Sequence, residues 1–324
     1  MRVVVLHGEV ADGAGRDEQD VLVQAATVSR ALAEQGYEPV ALPVSLDFPG
    51  LIRRLEALRP AIAFNLVESL AGQGRLIHMV PALLDYLSLP YTGAGTEATF
   101  LTSNKLLAKK ILRQNDLDTP SWVPCQGPPA GNFTPGRYIV KSVWEHASIG
   151  LDEEAVILAD RETDLDAVLA LRRDGPSGGC FAEAFIEGRE FNLSLLAGPK
   201  GPEVLPSAEI RFDDYPPGKI RVVGYRAKWQ EDSFEYQHTC RSFDFPEGDF
   251  PLLNRLKETA MKCWRLFGLK GYARVDFRVD PSGRPWILEV NTNPCLSPDA
   301  GFYAAAERAG LTFNQVIRRI IDDR

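Results

Sequence analysis

The stretch "GYARVDFRVDPSGRPWILEVNTNP", residues 271–294, reads as two strands joined by a tight turn. Gly271 to Asp280 alternates in polarity, Pro281, Ser282, Gly283 and Arg284 carry turn chemistry, and Pro285 to Asn291 runs back. The alternation places Arg274, Asp276, Arg278 and Asp280 on one face. The other face takes Val275, Phe277 and Val279, joined from the return strand by Trp286, Leu288 and Val290. Facing Asp280 with Pro285 aligns Asp276 with Glu289 and Arg274 with Asn291. Two carboxylates directly opposed destabilise a hairpin. A cation between them turns that repulsion into a binding site. Asp276, Glu289 and Asn291 all offer oxygen ligands, which suit Mg²⁺, an ion that keeps waters and completes its shell with phosphate oxygens. Arg274 beside them suits charge developing on a transferring phosphoryl group or an oxyanion. The other reading is a surface hairpin whose charges pair among themselves.

The whole chain has 324 residues, 45% hydrophobic and 25% charged, as expected of a globular protein with two or three subdomains. A net charge of −8 argues against nucleic acid as a partner. The apolar run Val3 to Leu6 is a buried strand, too short for a signal peptide, and no stretch reaches the length of a membrane span. Five scattered cysteines without a C-x-x-C pair fit reduced thiols in a cytoplasmic protein. Cys295 reads as a small packing residue or as a reactive thiol. The four histidines have no metal-ligand spacing.

Strand and helix alternate strictly over residues 1–96, which predicts a parallel sheet covered on both faces. The strands are "RVVVLHG", "YEPVALPV", "AIAFNLV" and "LPYTGA", and "GRLIHMVPALLDYLS" is a helix interrupted near Pro81. Beyond residue 96, "TSNKLLAKKILRQND" is an amphipathic helix capped by Thr102 or Ser103. A small α+β unit follows, running to about residue 185, with strands "YIVKSV" and "CFAEAFI". Residues 186–324 form a second α+β unit that holds the hairpin.

Four further positions carry two readings each. Lys141 ends an apolar strand, so its ammonium projects either to solvent or to a phosphate, and the loop after it, with Ala147, Ser148 and Gly150, lets backbone amides approach phosphate oxygens. Glu183 sits in an apolar strand, where an unpaired carboxylate is costly. It faces either a ligand hydroxyl or amino group, or water from an edge strand, and the same choice holds for Glu190. Lys105, in the first turn of its helix, opposes the helix dipole and is either a ligand residue or part of a solvated face.

These pieces, "SNKLLAKKILRQNDLDTP", "YIVKSVWEHASIGL", "FAEAFIEGREFNL", "GYARVDFRV" and "WILEVNTNPCL", together with "LPYTGAG", stand in an order that resembles the ATP-grasp superfamily, specifically the D-alanine–D-alanine ligase group. The resemblance covers nearly the whole chain. It implies an α/β and α+β architecture: an N-terminal parallel-sheet domain, then two α+β subdomains that grip ATP. It also implies Mg²⁺, or Mn²⁺ in its place, and a reaction in which ATP phosphorylates a carboxylate and an amine attacks the acylphosphate. By position, Lys105 and Lys141 match the lysines that hold ATP phosphates. Ser148, Ile149 and Gly150 match the loop that closes over the phosphates. Glu183, Ala184, Ile186 and Glu190 match the adenine and ribose contacts, with Leu288 beneath adenine. Lys228 matches a mobile-loop lysine near the γ-phosphate. Asp276, Glu289 and Asn291 match the metal ligands, and Arg274 the arginine at the acylphosphate. The group often dimerises through its N-terminal domain, and a homodimer is expected here.

The departures lie in the amino-acid pocket. Ala147 stands where the first of two serines is usual, and Trp229 follows Lys228 in place of tyrosine. The carboxylate for the first substrate's amine is Asp17 or Glu18. Glu68 stands where the group has a histidine, and Ser297 or Asp299 is nearest to the serine for the second substrate's carboxylate. The expectation is therefore a cytoplasmic, ADP-forming ligase that joins amino acids or short peptides other than two D-alanines. The rivals are a divergent D-alanine–D-alanine ligase of peptidoglycan synthesis and a non-catalytic nucleotide-binding protein.

Overall fold

The three central strand residues Val3, Val4 and Val5 are fully buried because they lie in a sheet covered on both sides. In the computed structural model, which describes all residues except 12, 14, 127–132, 145–150, 173–178 and 324 and leaves the side chains of 16–18 and 172 undescribed, this sheet contains β1 (Arg2–Gly8), β2 (Glu38–Val44) and β3 (Ile62–Asn65). All three run parallel, in the order β2-β1-β3. Val3 and Val5 face α1 (Arg16–Glu34), whereas Val4 and Leu6 face α2 (Phe48–Leu58) and α3 (Met79–Tyr86). The expected fourth strand, "LPYTGA", reduces to a single parallel bridge between Ala63 and Tyr91. Pro81 sits in the first turn of α3, where its missing N–H costs nothing, so it begins a helix and does not interrupt one.

The helix expected from Thr102 or Ser103 is two helices, α4 (Thr96–Ser103) and α5 (Lys105–Gln114). Asn104 leaves helical geometry between them, and its side-chain oxygen accepts the Leu107 N–H at 2.9 Å. The cap is therefore Asn104, and Lys105 is the first residue of α5. Lys105, Ala108, Lys109 and Leu112 form the buried stripe of α5.

The central unit is an antiparallel sheet of β4 (Trp122–Pro124), β5 (Gly136–Ser142), β6 (Val156–Ala159) and β7 (Cys180–Ala184), ordered β4-β7-β5-β6. Leu165 and Leu169 of α6 (Glu162–Arg172) pack on it. Residues 185–188 lead into a second antiparallel sheet of β8 (Arg189–Leu196), β9 (Glu203–Val204), β10 (Ala208–Phe212), β11 (Thr239–Ser242), β12 (Tyr272–Val279) and β13 (Pro285–Asn291). The order is β11-β10-β8-β12-β13, with β9 also beside β8. The long loop after β10 folds into two short helices, α7 (Tyr225–Trp229) and α8 (Phe234–His238). One face of the sheet packs on α9 (Phe250–Leu266) through Phe191, Val275 and Phe277. The last two helices, α10 (Gly301–Arg308) and α11 (Phe313–Asp322), return to the first sheet, where Val316, Ile317 and Ile320 share a core with Val3, Val5 and Phe64.

Asp276 faces Glu289 and Arg274 faces Asn291, the pairs expected from the sequence. The turn reaches that register differently. Val279, not Asp280, faces Pro285, and a bulge between the Phe277–Ile287 and Asp276–Glu289 pairs makes up the one-residue difference. The extra residue is Leu288. Ile287 therefore takes the core position at 1% exposure, and Leu288 and Trp286 leave the apolar face expected for them. Trp286 instead donates its ring N–H to Asp280 Oδ2 at 2.9 Å and lies under the Arg284 guanidinium.

Candidate active site

Residues opposite one another across paired strands share a face. Arg274, Asp276 and Arg278 of β12 lie opposite Ser194, Asn192 and Glu190 of β8, and Glu190 lies opposite Ile210 of β10. With Glu289 and Asn291 of β13, these residues build a polar face opposite the α9 core. At its centre Arg274 grips Asp276 with two parallel hydrogen bonds, Nε to Oδ1 at 2.7 Å and Nη2 to Oδ2 at 2.8 Å. Asn192 donates a third to Asp276 Oδ1 at 2.8 Å. Arg274 reaches Glu289 at 3.8 Å, and Lys105, from the first turn of α5, reaches its other oxygen at 3.9 Å. Burial pushes the Asp276 carboxyl above its usual range; Arg274 opposes this and the Glu289 charge adds to it. Burial and the Arg274 charge together lower the Lys228 pKa, while Glu289, Asp276 and Glu190 pull it back up. Two carboxylates and the Asn291 amide form a hard oxygen set, crowded by like charge, and this chemistry fits a divalent cation. The Asn291 oxygen also accepts the Asn293 N–H at 2.9 Å, which fixes its direction.

Glu183 does not face water: it is 1% exposed and ion-pairs with both Lys109 and Lys141. Burial alone would raise its pKa, but the two ammonium groups outweigh that and hold it below the ordinary value. Lys109, also 1% exposed, is depressed to about 8 by burial despite Glu183. It donates to Thr119 Oγ1 at 2.6 Å, and Thr119 donates to the Ile287 carbonyl at 2.7 Å. One chain of contacts thus joins Lys141, Glu183 and Lys109 to the strand that carries Glu289. Lys109 escaped the sequence reading. The signal was its spacing of four from Lys105, which puts both lysines on the stripe that also holds Ala108 and Leu112.

Glu190 is buried and bound by Arg278 at 2.8 Å. The Arg278 guanidinium lies between the Phe185 and Phe212 rings and donates to the Gly188 carbonyl at 3.2 Å. Ala184 and Ile186 are half-buried at the passage from β7 to β8, and Leu288 is half-buried at the bulge. Ser148, Ile149 and Gly150 lie outside the described residues, as does the Glu18 side chain.

The amino-acid side of the face contains a network the sequence reading found only in part. Gln24 of α1 is 2% exposed and donates through Nε2 to Glu68 Oε1 at 3.0 Å and to Asp20 Oδ2 at 3.2 Å. Its oxygen accepts the Leu296 N–H at 3.0 Å. Asp20 accepts from Ser297 Oγ at 2.5 Å and from Cys295 Sγ at 3.0 Å. Burial lifts the Glu68 pKa to about 7, opposed by the Gln24 hydrogen bond and raised further by Asp20. Burial, with the Glu68 and Asp20 charges, pushes the Cys295 thiol well above its ordinary value, so it is a packing and hydrogen-bonding residue at neutral pH and not a thiolate. The structure brings Glu68 and Ser297 together through Asp20 and Gln24, one turn apart on α1. Asp299 is exposed and acts on Arg241 through its charge.

The family described as "D-ala D-ala ligase C-terminus" matches residues 137–322. A D-alanine–D-alanine ligase from Synechococcus sp. (strain JA-3-3Ab) is 30% identical over all of this chain and 93% of its own length. An uncharacterised protein of Sinorhizobium fredii, y4sG, is 28% identical over 91% of this chain and 85% of its own. Among solved structures, the D-alanine–D-alanine ligase from Bacillus anthracis complexed with ATP superposes with a TM-score of 0.73, at 21% identity, over 100% of this chain and 97% of its own. That likeness gives the fold, a parallel-sheet domain followed by two antiparallel units, as the resemblance implied.

Proposed function

The chain belongs to the D-ala D-ala ligase family of ATP-grasp ligase enzymes, and from that premise we propose that it joins a carboxylate to an amine at the expense of ATP. The observation that carries this reading is the convergence of Arg274, Asp276, Glu289, Lys105 and Lys228 on one face of one sheet. A non-catalytic nucleotide binder has no evident use for all five. Asp276, Glu289 and Asn291 hold Mg²⁺ in this proposal, and the bound ion supplies charge neutralisation to the phosphates. Lys105 and Lys141 bind the phosphates, with Lys141 leaving Glu183 to do so, and Ser148, Ile149 and Gly150 cover them. Lys228 lies at the γ-phosphate, and Glu183, Ala184, Ile186, Glu190 and Leu288 line the adenosine. Arg274 steadies the carboxylate while it is phosphorylated. Catalysis then comes from positioning and charge, without a covalent protein intermediate.

The substrates in this reading are amino acids or short peptides. The Asp20–Gln24–Glu68–Ser297 network supports a pair other than two D-alanines, because Glu68 takes the place where the group has a histidine and Ser297 is bound to Asp20. The second reading, a D-alanine–D-alanine ligase, is favoured by the names of full-length relatives such as that of Synechococcus. A screen of amino-acid and dipeptide pairs for ATP-dependent phosphate release, with products identified by mass, decides between them. D-alanyl-D-alanine as the best product would overturn the first reading, and ADP release at background with every pair would overturn both. The division into residues 1–96, 97–185 and 186–324, cytoplasmic location and a homodimer through the N-terminal domain belong to the same proposal. No helix among the described residues is long and apolar enough to cross a membrane.

A further inference from the structure

Arg241 of β11 lies directly opposite Ile210, which lies opposite Glu190, so it stands on the same sheet face as Arg274 and Asp276. Its guanidinium lies flat against Gly301 at the start of α10: a methyl group added there would meet Nη2, Nε and Cζ at 3.3, 3.4 and 3.5 Å. Gly301 follows Asp299 and Ala300 in the segment that leaves the site after Asn291. Among the described residues, no side chain or carbonyl hydrogen-bonds or ion-pairs with Arg241. Asp299 attracts it from beyond ion-pair reach and Arg274 repels it; with loss of water, which acts most strongly, the repulsion keeps its pKa below the ordinary arginine value. Arg274 differs, because Asp276 holds its guanidinium by two bonds and Glu289 adds its charge. Two guanidiniums are thus held near each other at the cost of repulsion, and the one at the edge keeps its planar fork of donors unmatched. A carboxylate matches that fork bidentately. Of the two residues expected to bind the second substrate's carboxylate, Ser297 is committed to Asp20 and Asp299 carries the wrong charge.

We propose that Arg241 binds the free carboxylate of the amine-bearing substrate and so selects an amino acid or peptide over an amine without that group. This rests on the ligase reading. The carboxylate lies on the fork of donors of Arg241, beside the start of α10, which leaves the amine directed toward Arg274 and the acylphosphate.

The test compares the amine substrate found by phosphate release with its own carboxamide. Arg241→Gln is expected to raise KM for the free acid about 10- to 100-fold, the loss typical of a hydrogen bond between charged groups. KM for ATP and KM for the carboxamide should stay within about twofold. Arg241→Lys should recover part of the loss, and because no side chain among the described residues pairs with Arg241, the melting temperature should not move. If Arg241→Gln alters free acid and carboxamide equally, or neither, the proposal is overturned. If the wild-type protein releases phosphate with no pair, the ligase reading fails, and labelling of Arg241 by phenylglyoxal, read by peptide mass spectrometry, decides the anion site alone. Slower labelling in the presence of D- or L-alanine, but not of the alaninamides, supports it, and equal labelling overturns it.

Discussion

Lys109 and Glu183 show what a buried charge requires. Each is 1% exposed, and each is tolerable only because the other, with Lys141, is present. Lys109→Met leaves a buried carboxylate with one partner, so it should cost about 3–5 kcal/mol in urea unfolding. Lys109→Met with Glu183→Gln should cost less than Lys109→Met alone. Strict additivity of the two single changes would mean that the pair is not coupled. Glu68 makes a second prediction at this scale. Its folded pKa is about 7 against an ordinary 4.5, so between those values the folded state binds more protons than the unfolded one. The Glu68 contribution to stability is therefore full below about pH 4.5 and is lost as pH rises to about 7. Glu68→Gln should remove that decline when denaturation midpoints are compared across the range. An unchanged slope would place the titration elsewhere.

The hairpin shows how far strand alternation goes at the scale of one element. Alternation put Arg274 and Asp276 on one face, but their pairing with Asn291 and Glu289 also needs a register, and the turn expected for it was one residue off, a difference the bulge makes up. Alternation was not enough to place Leu288, because a bulge changes parity within a strand and carries no Gly or Pro signature here. The consequence is measurable. Ile287→Ala removes a core side chain and should cost about 2–4 kcal/mol, whereas Leu288→Ala should cost much less and act on KM for ATP. If Leu288→Ala proves the more destabilising, the bulge is misplaced. Lys109, Gln24 and Arg241 were missed for a related reason. Each gains its role from a partner more than 40 residues away or from a strand pairing, such as Gln24 with Glu68, and one helix or strand read alone does not show these. At the metal strand itself, Glu289→Gln should abolish phosphate release while urea unfolding stays near that of the wild type. Full activity with Mg²⁺ would remove Glu289 from the ligand set.

At the scale of the molecule, the two ends of the chain form one core. The strict alternation of strand and helix over residues 1–96 made the parallel sheet legible, but not what covers its outer face. That face packs on α11, whose apolar stripe of Val316, Ile317, Ile320 and Ile321 meets Val3, Val5, Ile62 and Phe64 across about 250 to 320 residues of sequence. Tyr272 at the start of β12 joins the same core, and its hydroxyl donates to Asn293 Oδ1 at 2.5 Å. Asn293 in turn donates to the Val67 carbonyl at 3.0 Å, beside Glu68. The last helix thus supports the sheet from which the Glu68 loop springs, and that loop is tied to the segment following the metal strand. A chain ending at residue 300 lacks α10 and α11 and exposes this apolar face. Its β1 and β3 amides should lose their protection from hydrogen exchange, and it should bind a hydrophobic dye that the full chain does not. The central sheet of β4 to β7 shares no core with either helix, so its amides should stay protected. Retained protection in β1 would mean that the N-terminal sheet folds without the C-terminal helices. The Glu68 network would then rest on α1 alone.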